Sequence, residues 1–191
     1  LDVESLVGFA WRMETIVLKE PALSLINDFF FTPKLADGSL NILVWGESDD
    51  RTAGTLGLRA GPSDKSGDGF KPIGEGSAIA CDLDGATFTT TTAGALAFPS
   101  DMFTPPQLPL TGVSLSGRFT ANGDAIEGGQ LVGSLTVADA QATQIIGQDL
   151  ATMLKGMPEV GEPNQDLDKD GTMDAWKFVC DFTAKKATLV P

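Results

Sequence analysis

Apolar residues recur mostly at every second position in this chain, the spacing of strands that bury one face. Phe9, Trp11, Met13, Thr15 and Val17 alternate with Ala10, Arg12, Glu14, Ile16 and Leu18, which predicts an opening strand with one apolar face. Glu20-Pro21 stops it. Pro21 suits a first helical position, and Ala22, Leu25, Ile26, Phe29 and Phe30 then share one face until Pro33, so a short buried helix is expected. Strands resume at residues 40–45 and 52–59. After a Gly/Pro/Ser/Asp-rich loop at 61–69, further strands are expected at 77–82, 86–91 and 93–98, with Asp84-Gly85 as a tight turn.

Residues 100–109 carry Pro105, Pro106 and Pro109 and read as a connection. The clearest hairpin follows: strands at 110–120 and 125–137 about a turn at Ala121-Asn122-Gly123-Asp124. Asp139 is placed to cap a helix on which Ala142, Ile146, Leu150, Met153 or Leu154, and Met157 form a stripe ended by Gly156 and Pro158. A closing strand spans residues 176–190, with Trp176, Phe178, Cys180 and Phe182 on one face. Eight to ten short strands, two helices and no βαβ alternation predict a single mainly β domain over residues 1–191. Its expected architecture is an antiparallel β-sandwich or partly open barrel with two short helices and an acidic loop at one corner.

That loop breaks the alternating pattern. Residues 166–174 read Asp-Leu-Asp-Lys-Asp-Gly-Thr-Met-Asp, with acids at the first, third, fifth and ninth places and Gly at the sixth. Crowded carboxylates repel one another unless a cation or ample solvent sits among them, and this spacing is that of the first three quarters of an EF-hand-type calcium loop. Asp166, Asp168, Asp170 and Asp174, with the Thr172 carbonyl, are the expected Ca2+ ligands. The twelfth position of the loop (166–177), where the full motif places a bidentate Glu, holds Lys177, so Glu162, Asp181, a remote carboxylate or water would complete the shell. No second helix follows the loop to swing open as in a sensor, so a structural role for the ion is expected.

Charge and composition narrow the function classes. Thirteen Lys and Arg stand against 26 Asp and Glu, a formal net charge of −13 that argues against nucleic-acid or anionic-membrane partners. No apolar run reaches bilayer-spanning length. The chain begins at Leu1, which suggests a processed product. Cys81 and Cys180 are the only cysteines; a disulfide between them and a pair of buried thiols are both open, and an extracytoplasmic setting favours the disulfide. With no His and no Tyr, the commonest general base, all histidine-containing triads and histidine metal sites are excluded. Glu47, Asp49 and Asp50 form the one carboxylate cluster of interest for glycosidase chemistry, and a solvated loop is the expected reading of it.

The hairpin segments Leu110-Thr111-Gly112-Val113-Ser114-Leu115-Ser116-Gly117-Arg118-Phe119 and Ile126-Glu127-Gly128-Gly129-Gln130-Leu131-Val132-Gly133-Ser134-Leu135, the acidic loop, and Phe182-Thr183-Ala184 resemble uncharacterised secreted proteins and lipoproteins of myxobacteria and their relatives. The resemblance implies an exported, β-rich calcium-loop protein and carries over no catalytic residue. The loop also resembles the calcium repeats of thrombospondin type 3 and dockerin modules, which occur in arrays or pairs, whereas one copy is present here. Together these readings predict a non-enzymatic, extracytoplasmic, calcium-stabilised domain serving as a cell-surface structural or assembly subunit, with protein partners or self-assembly through sheet edges. The alternative is a carbohydrate or small-ligand binding module. Such a module needs exposed aromatics, so the placement of Trp11, Trp45 and Trp176 discriminates between the two.

Overall fold

The computed structural model describes residues 1–22 and 27–190. Twelve strands are found among them: β1 (Ala10–Glu20), β2 (Ile42–Asp50), β3 (Thr55–Ser66), β4 (Gly69–Pro72), β5 (Ser77–Asp84), β6 (Thr87–Thr92), β7 (Gly94–Pro99), β8 (Gln107–Phe119), β9 (Ala125–Thr136), β10 (Gln144–Ile145), β11 (Gln148–Asp149) and β12 (Ala175–Ala187). Three short α-helices accompany them: α1 (Thr32–Asp37), entered from a π-helical turn at Asn27–Phe31, α2 (Val137–Ala142) and α3 (Leu150–Gly156). The protein is mainly β, as the alternating pattern predicts.

Antiparallel pairing runs β2-β1-β12-β9-β8-β6-β5-β3, and β2 pairs with β3 as well as β1, so the path returns on itself. β4 extends β3 as a hairpin, and β7 pairs with the first half of β8 while β6 takes the second half. A ring-like sheet buries one face of every strand in a shared interior and leaves few open edges. Two aromatic groups fill that interior. Trp11 packs on Phe119 at 4.8 Å between ring centres and Phe119 on Phe88 at 4.9 Å. Toward the helices, Phe103, Phe30, Phe31, Phe98 and Phe178 form a second chain of contacts at 4.9–6.0 Å.

Two glycines allow this closeness. A Cβ on Gly129 of β9 would lie 2.6 Å from the Phe182 ring on the neighbouring β12, and one on Gly46 of β2 would lie 2.2 Å from the Leu6 carbonyl oxygen. The strand at 129 must therefore be bare for Phe182 to lie across it.

Several expectations are corrected. In β1 the inward face changes partway: Trp11 and Met13 are buried, then Ile16 and Leu18, while Thr15 and Val17 point outward. The register against β12 slips between Met13 and Thr15, so Glu14 is an inserted bulge residue that flips the faces. Residues 61–69 are no loop, because β3 continues through Pro62 to Ser66 and turns back at Gly67 into β4. β8 likewise incorporates Pro109, opposite Ala97 of β7. Pro33 does not end the first helical segment; it sits in the opening turn of α1, where its missing N–H costs nothing. The expected helical positions Leu25 and Ile26 lie outside the described residues.

The long helix expected after Asp139 is two short ones. Thr136 caps α2 by accepting from the Asp139 amide at 3.0 Å, and Asp149 caps α3 by accepting from the Thr152 amide at 2.8 Å. Between them β10 and β11 form a small hairpin turning at Ile146-Gly147, both at positive φ (52° and 78°). The apolar spacing of Ile146, Leu150 and Leu154 is helical, yet Ile146 is 98% exposed at the hairpin tip while the two leucines are buried.

Candidate metal centre

β12 has β1 on one side and β9 on the other, and the acidic residues 166–174 immediately precede it. The base of this loop is bound at several points. Gln165 and Ala175 exchange backbone hydrogen bonds (2.9 and 3.1 Å), the Asp174 amide donates to the Gln165 carbonyl at 2.8 Å, and the Asp174 carbonyl accepts from the Val137 amide at 2.8 Å. The Ser134 hydroxyl of β9 also hydrogen-bonds the Gln165 side chain. Hence the loop is tied to the start of α2, to β9 and to the first residue of β12.

Within the loop the carboxylates hold the backbone. Asp166 accepts from the Gly171 amide at 2.8 Å and the Asp170 amide at 3.2 Å; Asp168 accepts from the Asp170 amide at 3.1 Å; Asp174 accepts from the Leu167 amide at 3.1 Å. Gly171 at φ 93° and Lys169 at φ 63° supply the left-handed bends that curl the chain, the second unusual for a side chain with a Cβ. The curl gathers one carboxylate oxygen each from Asp166, Asp168 and Asp174 to within 4.8 Å of one another. Three hard oxygen donors at that spacing suit a divalent cation such as calcium, and oxygen ligands are the type it takes.

Asp170 departs from the expected set. Its carboxylate accepts from the Thr172 amide at 2.7 Å, and hydrogen bonding to Thr172 holds its pKa below the usual carboxylate value. It therefore stands outside the converging triad, and Thr172 enters the loop's geometry through its amide. The acids considered for completing the shell are engaged elsewhere: Glu162 pairs with Lys155 at 2.9 Å and Asp181 with Lys19 at 3.4 Å. Lys177, at the twelfth position, reaches Glu20 on β1 at 3.2 Å. The anchoring role of Gln165 and Ser134 had no sequence signal, since it depends on a strand residue and a loop residue 31 positions apart meeting.

The other singled-out residues have structural duties. Asp49 has a buried side chain, 0% exposed, that accepts from the Leu6 amide at 2.8 Å and pairs with Arg51 at 2.5 Å. Glu47 pairs with Arg59 at 2.9 Å, and Asp50 accepts from the Thr52 and Ala53 amides in the β2–β3 turn. Two of the three tryptophans are core: Trp11 is 0% and Trp176 2% exposed, their indole N–H groups donating to the carbonyls of Gly123 and Gly161. Trp45 is half-buried, with its ring over Gly76.

Cys81 and Cys180 are separate buried thiols, so the expected disulfide is not formed. They lie on β5 and β12, separated by β6, β8 and β9 in one direction and by β3, β2 and β1 in the other. A bridge needs Cα atoms within about 7 Å, and no pairing brings these strands side by side. Burial pushes the Cys81 thiol up to about 11 and the Cys180 thiol higher still, which makes both poor nucleophiles.

No protein-family model matches the chain, and neither the curated proteins nor the solved structures contain a match to it.

Proposed function

We propose that this chain is a non-enzymatic, extracytoplasmic β domain stabilised by Ca2+ and serving as a structural or assembly subunit at the cell surface. The observation that carries this reading is the convergence of Asp166, Asp168 and Asp174 at a point tied by backbone hydrogen bonds to α2 and to the first residue of β12. A cation held there would neutralise three like charges at the entry to a strand paired on both sides. Those three side chains would hold the ion, which would supply charge neutralisation there. A net charge of −13 suits a calcium-rich exterior, and the resemblance of the loop and hairpin to exported bacterial proteins supports the same setting.

Assembly through sheet edges points to β7. It pairs with β8 along one side, and on the other it lies against β3 and β5, where the described hydrogen bonds include one from its Ala95 amide to the Ser77 hydroxyl at 3.1 Å and no strand pairing is formed among the described residues. β4 is partly covered, because Phe70 exchanges backbone hydrogen bonds with Thr188 and Val190. The burial of Trp11 and Trp176 weighs against the sugar-binding alternative, which needs ring faces in solvent. The test is calorimetric titration of the calcium-free protein with Ca2+, alongside native mass in calcium and in chelator. The reading expects one saturable site per chain, lost in Asp168→Ala and retained in Asp64→Ala, whose carboxylate lies on exposed β3. Absence of a saturable site would overturn it, and a mass unchanged at monomer in both conditions would remove the assembly role.

A further inference from the structure

Among the described residues Ile146 is the most exposed large apolar side chain, 98% in solvent, and it holds a φ of 52° at the tip of the β10–β11 hairpin. A β-branched residue is strained at positive φ, where glycine would hold the same turn freely. Exposure and strain thus fall on one side chain, and a contact made outside the chain would offset both. The hairpin stands on the rim of a hollow at the helix-covered end of the ring. Ile145 and Leu150, on either side of the tip, are wall residues of that hollow together with Leu154, Trp176 and Phe178. Met102, 40% exposed, is another, and its segment is tied to the hairpin by backbone hydrogen bonds exchanged between Thr104 and Gln144 (3.0 and 2.9 Å). No polar surface faces the hollow, and its volume is about 70 Å³. A dry apolar hollow of about 150 Å³ takes up benzene, and roughly half that space suits a branched aliphatic side chain.

Charge permits a second copy at this end. The net charge of −13 opposes self-association over most of the surface, but residues 140–148 bear no charge, and Lys34 pairs with Asp101, next to Met102, at 2.6 Å. Because the projecting side chain and the hollow adjoin, a twofold axis lets each copy fill the other's hollow at once, and the contact closes at two chains.

We propose that two copies of this chain pair at this end, each placing its Ile146 side chain in the other's hollow. The contact is separate from the β7 edge and uses no calcium, so its failure would leave the reading of the acidic loop intact. Sedimentation of the full chain at rising concentration, in chelator, is expected to show a monomer–dimer equilibrium. Ile146→Gly should weaken pairing at least a hundredfold, since two buried side chains are lost from each dimer. Its urea midpoint should stay level or rise, because the strained φ is relieved. Leu154→Phe, which fills the hollow from within, should also weaken pairing. Insertion is read without any variant from the Ile146 methyl resonances, which ring currents from Trp176 and Phe178 should move upfield as the protein is concentrated, so the proposal stays testable even where Leu154→Phe fails to fold. A monomer at every concentration, pairing that survives in Ile146→Gly or is undiminished in a folded Leu154→Phe, methyl resonances that do not move on pairing, or Ile146-dependent binding to phosphatidylcholine vesicles in place of pairing would each overturn the proposal.

Discussion

The ring interior and the acidic corner at residues 166–174 both converge on β12, and they keep their shapes by opposite means. In the interior, order comes from contact between residues far apart in sequence: Trp11, Phe88 and Phe119 meet from β1, β6 and β8, and Phe182 lies across Gly129. At the corner, order comes from neighbours. Each of Asp166, Asp168, Asp170 and Asp174 accepts a hydrogen bond from an amide no more than seven residues away. Packing of the first kind tolerates little change in volume, whereas the second kind tolerates changes of shape and responds to charge.

The largest expected effect lies in the interior. Phe119 is 1% exposed and touches aromatic rings on two sides, so Phe119→Ala removes a large apolar group from a closed space and should lower stability by about 3–5 kcal/mol. Equilibrium denaturation in urea measures it, with the slope of the transition unchanged. A loss under about 1 kcal/mol would mean that the interior repacks freely and that the contrast with the corner is false.

Calcium withdrawal is the matching test of the corner. With free ion at a hundred times its dissociation constant, mass action contributes about 2.7 kcal/mol, and excess chelator should lower the melting temperature by several degrees. Asp168→Ala should abolish that dependence without touching the core. Its effect in chelator should be small or even favourable, because one of three crowded like charges is gone. Identical melting curves with calcium and with chelator would reduce the corner to a solvated turn.

This contrast also explains what was legible in the sequence. The acidic loop could be read because its geometry is local: the spacing of acids about Gly171 is enough to curl it, and three of the four expected carboxylates do converge. Asp170 could not be assigned, because whether it faces the cluster or the Thr172 amide depends on the curl itself. The hairpin of β8 and β9 was legible from its Asn122-Gly123 turn and its alternation. The bulge at Glu14 was not, since the alternation of Phe9, Trp11, Met13, Thr15 and Val17 runs unbroken past the inserted residue and only pairing with β12 shows that Ile16 and Leu18 turn inward. Ring closure through β2, which keeps Cys81 and Cys180 on separate walls, left no trace in any local pattern. Nor did the break at Ile146-Gly147, where a helical spacing of apolar residues continues across a turn.

Adding volume sharpens the comparison at a smaller scale. Gly129→Ala places a methyl 2.6 Å from the Phe182 ring, and since both strands are fixed by pairing on each side, the ring must leave its position. Overpacking of this kind costs typically about 1–3 kcal/mol. Gly156→Ala, at the end of α3 with nothing within 4 Å of the added carbon, should be close to neutral. Comparable urea midpoints for the two variants would sink the claim that closeness at 129 is required.

The smallest effect tests whether charge and local hydrogen bonds also govern the approach to the corner. Asp149 begins α3, the helix that leads toward the acidic loop, and its carboxylate accepts from the amide and the hydroxyl of Thr152, both at 2.8 Å. These bonds favour the ionised form, the backbone one most, and hold its pKa below the ordinary carboxylate value. Because the folded pKa is the lower one, the stabilisation is fully present above the unfolded value, near pH 4, and is lost as pH falls through the folded value. Wild type should therefore exceed Asp149→Ala in stability by a constant margin from pH 7 down to about 5, and the margin should shrink below pH 4. Urea midpoints of both proteins across that range, taken in chelator so that calcium release does not contribute, give the margin directly. A margin that persists unchanged at the acid end would show that the Asp149 side chain acts without its charge, and no margin at any pH would show that α3 is held by the packing of Leu150 and Leu154 alone. The approach to the corner would then belong with the ring interior.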